Sequence, residues 1–311
     1  MKNISRRDAL KGLGFLAGAS LVGCGRDVSS SVEENNRAVS SVSETTSKPI
    51  SGVWSRGPER KDNYVEEFGR FKAKFIWVPE KRVYWFWDRH FGREGFQDIT
   101  PGFWMQETEM SIDQYLSLLE ISNYDPRPDT SRRQGGMPHN IRNPDMPANS
   151  MSYKNIGQIT DYLASRTRRG YRLPNILEWF AAVGSTLNKP FGDLSKETAN
   201  ISWGETDWAS VEQVKARSPN KNGFYNLIGN IKEYLYLVDP VREYYSGDYV
   251  NRVDGRNVIC FSPGALTREE SFDLENGRGS IFELLRLGLN NTTTYSSYNG
   301  FRLVRDPNLD V

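Results

Sequence analysis

Two cysteines and two histidines are all that the 311 residues hold of the side chains that most often bind transition metals or attack substrates. Cys24 and Cys260 are far apart in the chain, and Cys260, between Ile259 and Phe261, reads as a small buried hydrophobe rather than a reactive thiol. A redox iron site of the His-and-carboxylate type needs converging imidazoles, and nothing in the spacing brings His90 and His139 together; each reads as a surface residue. Net charge is also missing. With 40 Lys plus Arg against 39 Asp plus Glu there is no basic field to attract nucleic acid and no acidic tail. No Ser-His-Asp order, phosphate loop or Cys-Cys zinc pair is present, and no internal repeat. The apolar run from about Leu13 to Val22 is too short to span a bilayer as a stable helix. Aromatics make up 12% of the chain, yet almost none precede Trp54, so only the later part is equipped to build a core.

What is present at the N-terminus accounts for that asymmetry. A charged start, a short apolar region and a small residue before Cys24 have the layout of an export signal over residues 1–24. Ser5-Arg6-Arg7-Asp8-Ala9-Leu10-Lys11 resembles a twin-arginine signal, and Leu21-Val22-Gly23-Cys24 resembles a bacterial lipobox, in which Cys24 takes the lipid. Gly25 follows, with no Asp to favour either membrane. Residues 25–52, rich in Ser, Glu, Asn and Thr, bury too little apolar surface to repay ordering and read as a flexible tether. With Cys24 lipidated, Cys260 has no partner for an intramolecular disulfide. Residues 53–311 then form the folded part.

Within it, Phe75-Ile76-Trp77-Val78-Pro79 and Val83-Tyr84-Trp85-Phe86-Trp87 predict short strands, being aromatic and β-branched between turn formers. Ser111 to Leu119 predicts a Ser-capped helix with Ile112, Tyr115, Leu116 and Leu119 on one stripe. Further helices are predicted over Asn155–Ser165 and from about Asn175 to Val183. Trp77, Trp85, Trp87 and Trp104 suit either a core or a sugar-stacking platform, and a core is the commoner use. Long Gly-, Asn- and Asp-rich loops follow, and such loops need something to hold them.

Read in order, these pieces resemble the formylglycine-generating enzyme, or sulfatase-modifying factor, family. Gly102-Phe103-Trp104-Met105 to Glu109-Met110-Ser111 and Gln114-Tyr115 is similar to its opening motif, and Pro147 to Met151-Ser152-Tyr153 to its second. Tyr171-Arg172-Leu173-Pro174 with Glu178-Trp179 resembles its Y-R-L-P corner. Pro219-Asn220 and Gly223-Phe224-Tyr225-Asn226-Leu227-Ile228-Gly229-Asn230-Ile231-Lys232-Glu233 resemble its P-N-x-x-G-L-Y and G-N-V-W-E run, and Asn299-Gly300-Phe301-Arg302 its closing G-F-R. The resemblance implies an α+β, irregular, C-type-lectin-like fold with bound calcium. It also implies that Arg172, Glu178, Trp179 and Arg302 are structural anchors joined by charge-assisted hydrogen bonds.

Calcium takes several oxygen ligands from a loop able to wrap it. By resemblance, the side chains of Asn226 and Glu233 and the carbonyls of Gly229 and Ile231 hold one ion; spacing alone would favour a turn with Gly229-Asn230 at its tip. A second ion would use Asn200, Ile201, Asp207 and the Ala209 carbonyl, in a loop shorter than the family's. The family's copper centre, in contrast, needs two closely spaced thiolates, since soft sulfur holds Cu(I). Leu266 and Ser271 stand approximately where those thiols belong, and Cys260 comes too early and alone. Copper or iron is therefore not expected.

The expectation is a lipid-anchored protein of the bacterial cell envelope whose domain binds or assembles with an envelope protein or glycan, without catalysis. The alternative is a copper- or iron-dependent oxidoreductase with a rearranged site, which the twin-arginine-like start favours. Loops 121–150 and 265–295, where the resemblance fades, offer Arg132, Arg133, Asn140, Arg142, Arg268 and Arg286 as a candidate binding surface.

Overall fold

In the sequence FKAKFIWV, residues 71–78, two parities of apolar side chain serve two cores, and that division organises the domain. The computed structural model describes residues 61–88, 93–122, 143–149, 153–167, 169–201, 210–239, 251–253, 256–261 and 299–307. Its strands are β1 (Tyr64–Phe68), β2 (Phe71–Val78), β3 (Lys81–Asp88), β4 (Arg93–Ile99), β5 (Phe103–Gln106), β6 (Gly170–Arg172), β7 (Lys232–Tyr236), β8 (Asn251–Val253), β9 (Arg256–Phe261), β10 (Asn299–Gly300) and β11 (Val304–Asp306). The helices are α1 (Ile112–Ser122), α2 (Tyr153–Thr167) and α3 (Ile176–Val183). A five-stranded antiparallel sheet runs β1-β2-β5-β11-β6; a second runs β10-β7-β9-β8, with β10 parallel to β7; β3 and β4 form a hairpin. Among the described residues no helix is long and apolar enough to cross a membrane.

Because successive strand side chains point to opposite faces, Phe71, Ala73 and Phe75 join a core with α1 and α2, while Ile76 and Val78 join one with β3 and α3. The neighbouring strand β5 divides in the same way, Trp104 to the first core and Phe103 and Met105 to the second. The sheet is thus a wall with a core on each side. This is why β5 and β11 escape a period-2 reading: a strand buried on both faces does not alternate. The predicted strand at Phe75 in fact starts at Phe71, where exposed Lys72 and Lys74 do alternate with buried Phe71, Ala73 and Phe75.

The three predicted helices are present, and their ends have local causes. At α1, the backbone N–H of Gln114 donates to Ser111 Oγ and that of Ser111 to Gln114 Oε1, a reciprocal cap. At α3, Asn175 and Glu178 form the same kind of box, with bonds of 2.9 and 2.8 Å. Gly184 ends α3 in the left-handed region at φ 80°, where its N–H reaches the carbonyls of Phe180 and Ala181. Every residue of α3 is buried.

Glu178 does more than cap. Its carboxylate takes a two-pronged hydrogen bond from Arg172 at 2.6 and 2.8 Å, and the same guanidinium donates to Asp306 at 2.6 and 2.9 Å. One planar cation therefore joins β6, the start of α3 and β11, with Trp179 fully buried behind them. Elsewhere in the sheet Glu66 of β1 accepts from Arg169 at 2.6 and 2.7 Å and from the Tyr171 hydroxyl. Since β1 and β6 are the two edges of the five-stranded sheet, the sheet curls far enough for side chains of its edges to meet. Burial pushes the Tyr64 phenol up to about 12 and the Tyr171 phenol well above its ordinary range, and the Glu66 charge adds to both.

Replacing Arg172 with Met leaves two carboxylates without their cation and is expected to cost roughly 2–4 kcal/mol in urea unfolding; Lys, which cannot fork, is expected to recover only part of it. The raised phenols have a signed consequence. The native state holds these protons where an unfolded tyrosine, with a pKa of about 10, releases them, so stability is full below about pH 10 and falls as pH rises toward about 12. Urea midpoints at pH 9 and pH 11 are expected to differ more for the wild type than for Tyr64→Phe.

Candidate functional site

Between the opening and closing motifs lies a buried polar cluster built from three distant stretches. Glu109 follows β5, Asn226 and Asn230 sit in the turn before β7, Glu233 is on β7, and Arg302 lies between β10 and β11. All five are at most 1% exposed. Asn226 and Asn230 adopt left-handed backbone conformations at φ 50° and 60°, which Asn tolerates better than most residues. Gly229, at φ 94°, presses on the Asn200 backbone so closely that a Cβ would lie 2.4 Å from its carbonyl oxygen. Only glycine fits there.

Arg302 is the cation of the cluster. Nε and Nη2 donate to the two Glu233 oxygens at 2.7 and 2.6 Å, and Nη2 also to the Tyr225 carbonyl at 3.0 Å. Glu109 accepts from Asn226 Nδ2 at 3.2 Å and Asn230 Nδ2 at 3.0 Å. Burial pushes its carboxyl up to about 8, Arg302 works against that shift and Glu233 adds to it. Two buried carboxyls thus face one guanidinium. The Oδ1 atoms of Asn226 and Asn299 are buried without a hydrogen-bond partner among the described residues, an arrangement that costs free energy unless something else binds them.

Of Asn226, Gly229, Ile231 and Glu233, the side chain that offers a hard cation an unpartnered oxygen among the described residues is Asn226, since both Glu233 oxygens accept from Arg302. The carboxamide oxygen of Asn226 is orphaned, the turn is curled, and carboxyls outnumber guanidinium groups in the cluster. Among the described residues no group of three or more His, Cys, Asp or Glu converges, so the donors there would be mainly neutral oxygens, with Glu233 shared between the ion and Arg302. A soft metal has nothing to bind in such a set. At the second candidate set Asp207 and Ala209 lie outside the described residues, and the Asn200 side chain is already engaged. The Asn200 Oδ1 accepts from Arg217 at 3.2 Å, and its Nδ2 donates to the Ser210 carbonyl and Asn230.

Other residues singled out in the sequence are distributed differently. Arg172, Glu178 and Trp179 form the corner described above, whereas Arg302 belongs to the buried cluster with Glu233. Trp85 and Trp104 are 5% and 4% exposed and belong to the cores, and Trp77 packs partly buried against Trp104. Cys260 lies on β9 opposite Tyr234 of β7. Cys24, His90, His139, Asp207, Ala209, Leu266, Ser271, Arg132, Arg133, Asn140, Arg142, Arg268 and Arg286 lie outside the described residues, as does the Trp87 side chain.

Sequence reasoning missed Glu109, Asn230 and Arg217 as parts of this centre. Glu109 is 117 and 121 residues from its two asparagine partners, and no local spacing signals a contact that only the fold creates. The two buried acids are expected to respond differently to change. Arg302→Met leaves Glu233 charged and unpaired in the interior and should cost about 3–5 kcal/mol or prevent folding. Glu109→Gln, close to the neutral form that burial favours, should change the urea midpoint little in calcium-free buffer.

A model of the FGE-sulfatase family, described as a sulfatase-modifying factor enzyme 1-like domain, matches residues 96–307. No curated protein matches significantly. Among solved structures, PvdO from Pseudomonas aeruginosa is similar over 79% of this chain and 99% of that one, with 15% identity and a TM-score of 0.55. CarF aligns over 75% and 98% at 18% identity and a TM-score of 0.49, and Treponema denticola variable protein 1 over 79% and 99% at 15% and 0.48. At such identity a likeness speaks to the fold, an irregular α+β arrangement, and the family model covers more than half of the sequence. The chain belongs to the sulfatase-modifying factor enzyme 1-like domain family.

Proposed function

We propose that the protein is exported, held to a bacterial envelope membrane by lipid on Cys24, and acts there as a binding or assembly module without oxidase chemistry. The observation that carries this reading is the sulfur count. Two cysteines are present in the whole chain, and one stands in the lipobox-like Leu21-Val22-Gly23-Cys24. Cys260 alone is left for the folded part, and one thiolate cannot make the two-thiolate centre that the family's copper chemistry requires. The tether of residues 25–52 would supply reach from the membrane, and the partner would be an envelope protein or a glycan. One calcium ion at Asn226, Gly229, Ile231 and Glu233 would hold the loop, giving it a structural and not a redox role. The orphaned Asn226 oxygen supports that assignment. The twin-arginine-like stretch Ser5 to Lys11 supports a second reading, a copper- or iron-dependent oxidoreductase with a rearranged site, because that route suits proteins that fold around a metal before export.

Elemental analysis separates the two. Full-length protein, taken in detergent from the membranes of cells that export it, is expected to carry calcium but no stoichiometric copper or iron; stoichiometric copper or iron would overturn the binding-module reading. Calcium at about a hundred times its Kd should stabilise the domain by about 2.7 kcal/mol relative to chelator. That difference should vanish in Asn226→Ala.

A further inference from the structure

Around Asn200 the converging oxygens meet a side chain, the guanidinium of Arg217. Arg217 sends Nη1 to the Lys196 carbonyl, Nη2 to Asn200 Oδ1 at 3.2 Å, and Nε and Nη2 to the two Glu212 oxygens at 3.0 and 2.8 Å. A backbone carbonyl, a carboxamide oxygen and a carboxylate from three separated positions converge on one planar cation. That is the mixture of oxygen types a calcium ion gathers, collected instead by five N–H donors of fixed geometry. The guanidinium is also well placed to act over distance. Its side chain is 22% exposed, so solvent screens it less than a surface cation.

The surroundings are closed by hydrogen bonds that leave the Asn200 amide no freedom to turn its oxygen elsewhere. Asn200 is fully buried, and its Nδ2 donates to the Ser210 carbonyl at 2.7 Å and to Asn230 Oδ1 at 3.1 Å. Asn230 Oδ1 also accepts the Glu212 N–H at 2.8 Å, and its Nδ2 donates to the Glu212 carbonyl at 3.2 Å. The backbone of Asn200 is bridged to Gly229, and the Ser218 N–H reaches the Glu197 carbonyl at 2.8 Å. Segment 210–218 is therefore stitched to residues 196–200 on one side and to the turn before β7 on the other, with Arg217 as its cation.

We infer that Arg217 is a built-in cation that does the work of a second metal ion at Asn200, holding the described part of that loop with its own guanidinium. The inference does not depend on the calcium at Asn226. A covalent cation cannot be removed by chelation, so half of the loop system would stay ordered when calcium is scarce. Its charge of one is matched by the one carboxylate it binds, Glu212.

Equilibrium dialysis of the full-length protein against calcium, with thermal unfolding in calcium and in chelator, tests this. The expected result is one ion per chain, kept in Asn200→Ala and lost in Asn226→Ala. Arg217→Ala and Arg217→Lys should each lower Tm by about 4–8 °C in chelator, because an ammonium cannot span the three acceptors, and added calcium should not restore the loss beyond its effect on the wild type. Two ions in the wild type, with one given up by Asn200→Ala, would overturn the inference. So would a Tm unchanged by Arg217→Ala. No bound ion, together with the Tm loss in both Arg217 variants, would remove the calcium assigned to Asn226 while supporting Arg217 as the resident cation.

Discussion

The Arg302–Glu233 pair is the interaction on which the rest of this domain depends. Both groups are fully buried, and taking two charges out of water is repaid only when geometry is good and every remaining donor finds an acceptor. Here the guanidinium uses its fork on Glu233 and its remaining N–H groups on the carbonyls of Gln106, Glu107 and Tyr225. Those carbonyls belong to the end of β5 and to the turn before β7, so a single side chain near the C-terminus fixes the ends of two other stretches. The backbone then completes the work, with the N–H of Met110 bonded to the Phe301 carbonyl and that of Gln106 to Leu303. Breaking the pair would free several segments at once, not one contact.

A common device recurs at three places. At Arg172, Arg217 and Arg302, a forked cation draws together oxygens from stretches distant in sequence, and each time the acceptors include a carboxylate and a backbone carbonyl. Arginine suits this use because its charge is permanent and its donors are planar and rigid. A domain with short strands and long loops has little regular ladder to hold it. Charge-assisted bonds between loops substitute for that ladder, and left-handed residues such as Asn226, Gly229 and Asn230 let the backbone curl around them.

Much of the fold was legible because its signals are local. The Ser111 cap, the apolar stripe of α1 and the aromatic run of β3 each declare themselves within a few residues. The site was legible only as a string of motif positions. Asn226, Gly229, Ile231 and Glu233 stand close together in the sequence, whereas Glu109 and Arg302 reach them from 117 and 69 residues away. The short strands β6 and β11 were silent for a related reason. With three residues each and burial decided by neighbours on both sides, they carry no pattern to read.

The sequence by itself determined the composition and its order: two cysteines far apart in the chain, 40 basic residues balanced by 39 acidic ones, and motifs in the order of one family. These depend on residue identity, which folding does not alter. Tertiary structure alone decided which charges meet. It placed Arg217 on the oxygen of Asn200, set Arg302 against Glu233 and Glu109 against the amides of Asn226 and Asn230, and curled the sheet until Glu66 met Tyr171. The reason is that electrostatic and hydrogen-bond energies fall off within a few ångströms in space, and separation along the chain carries no information about that distance.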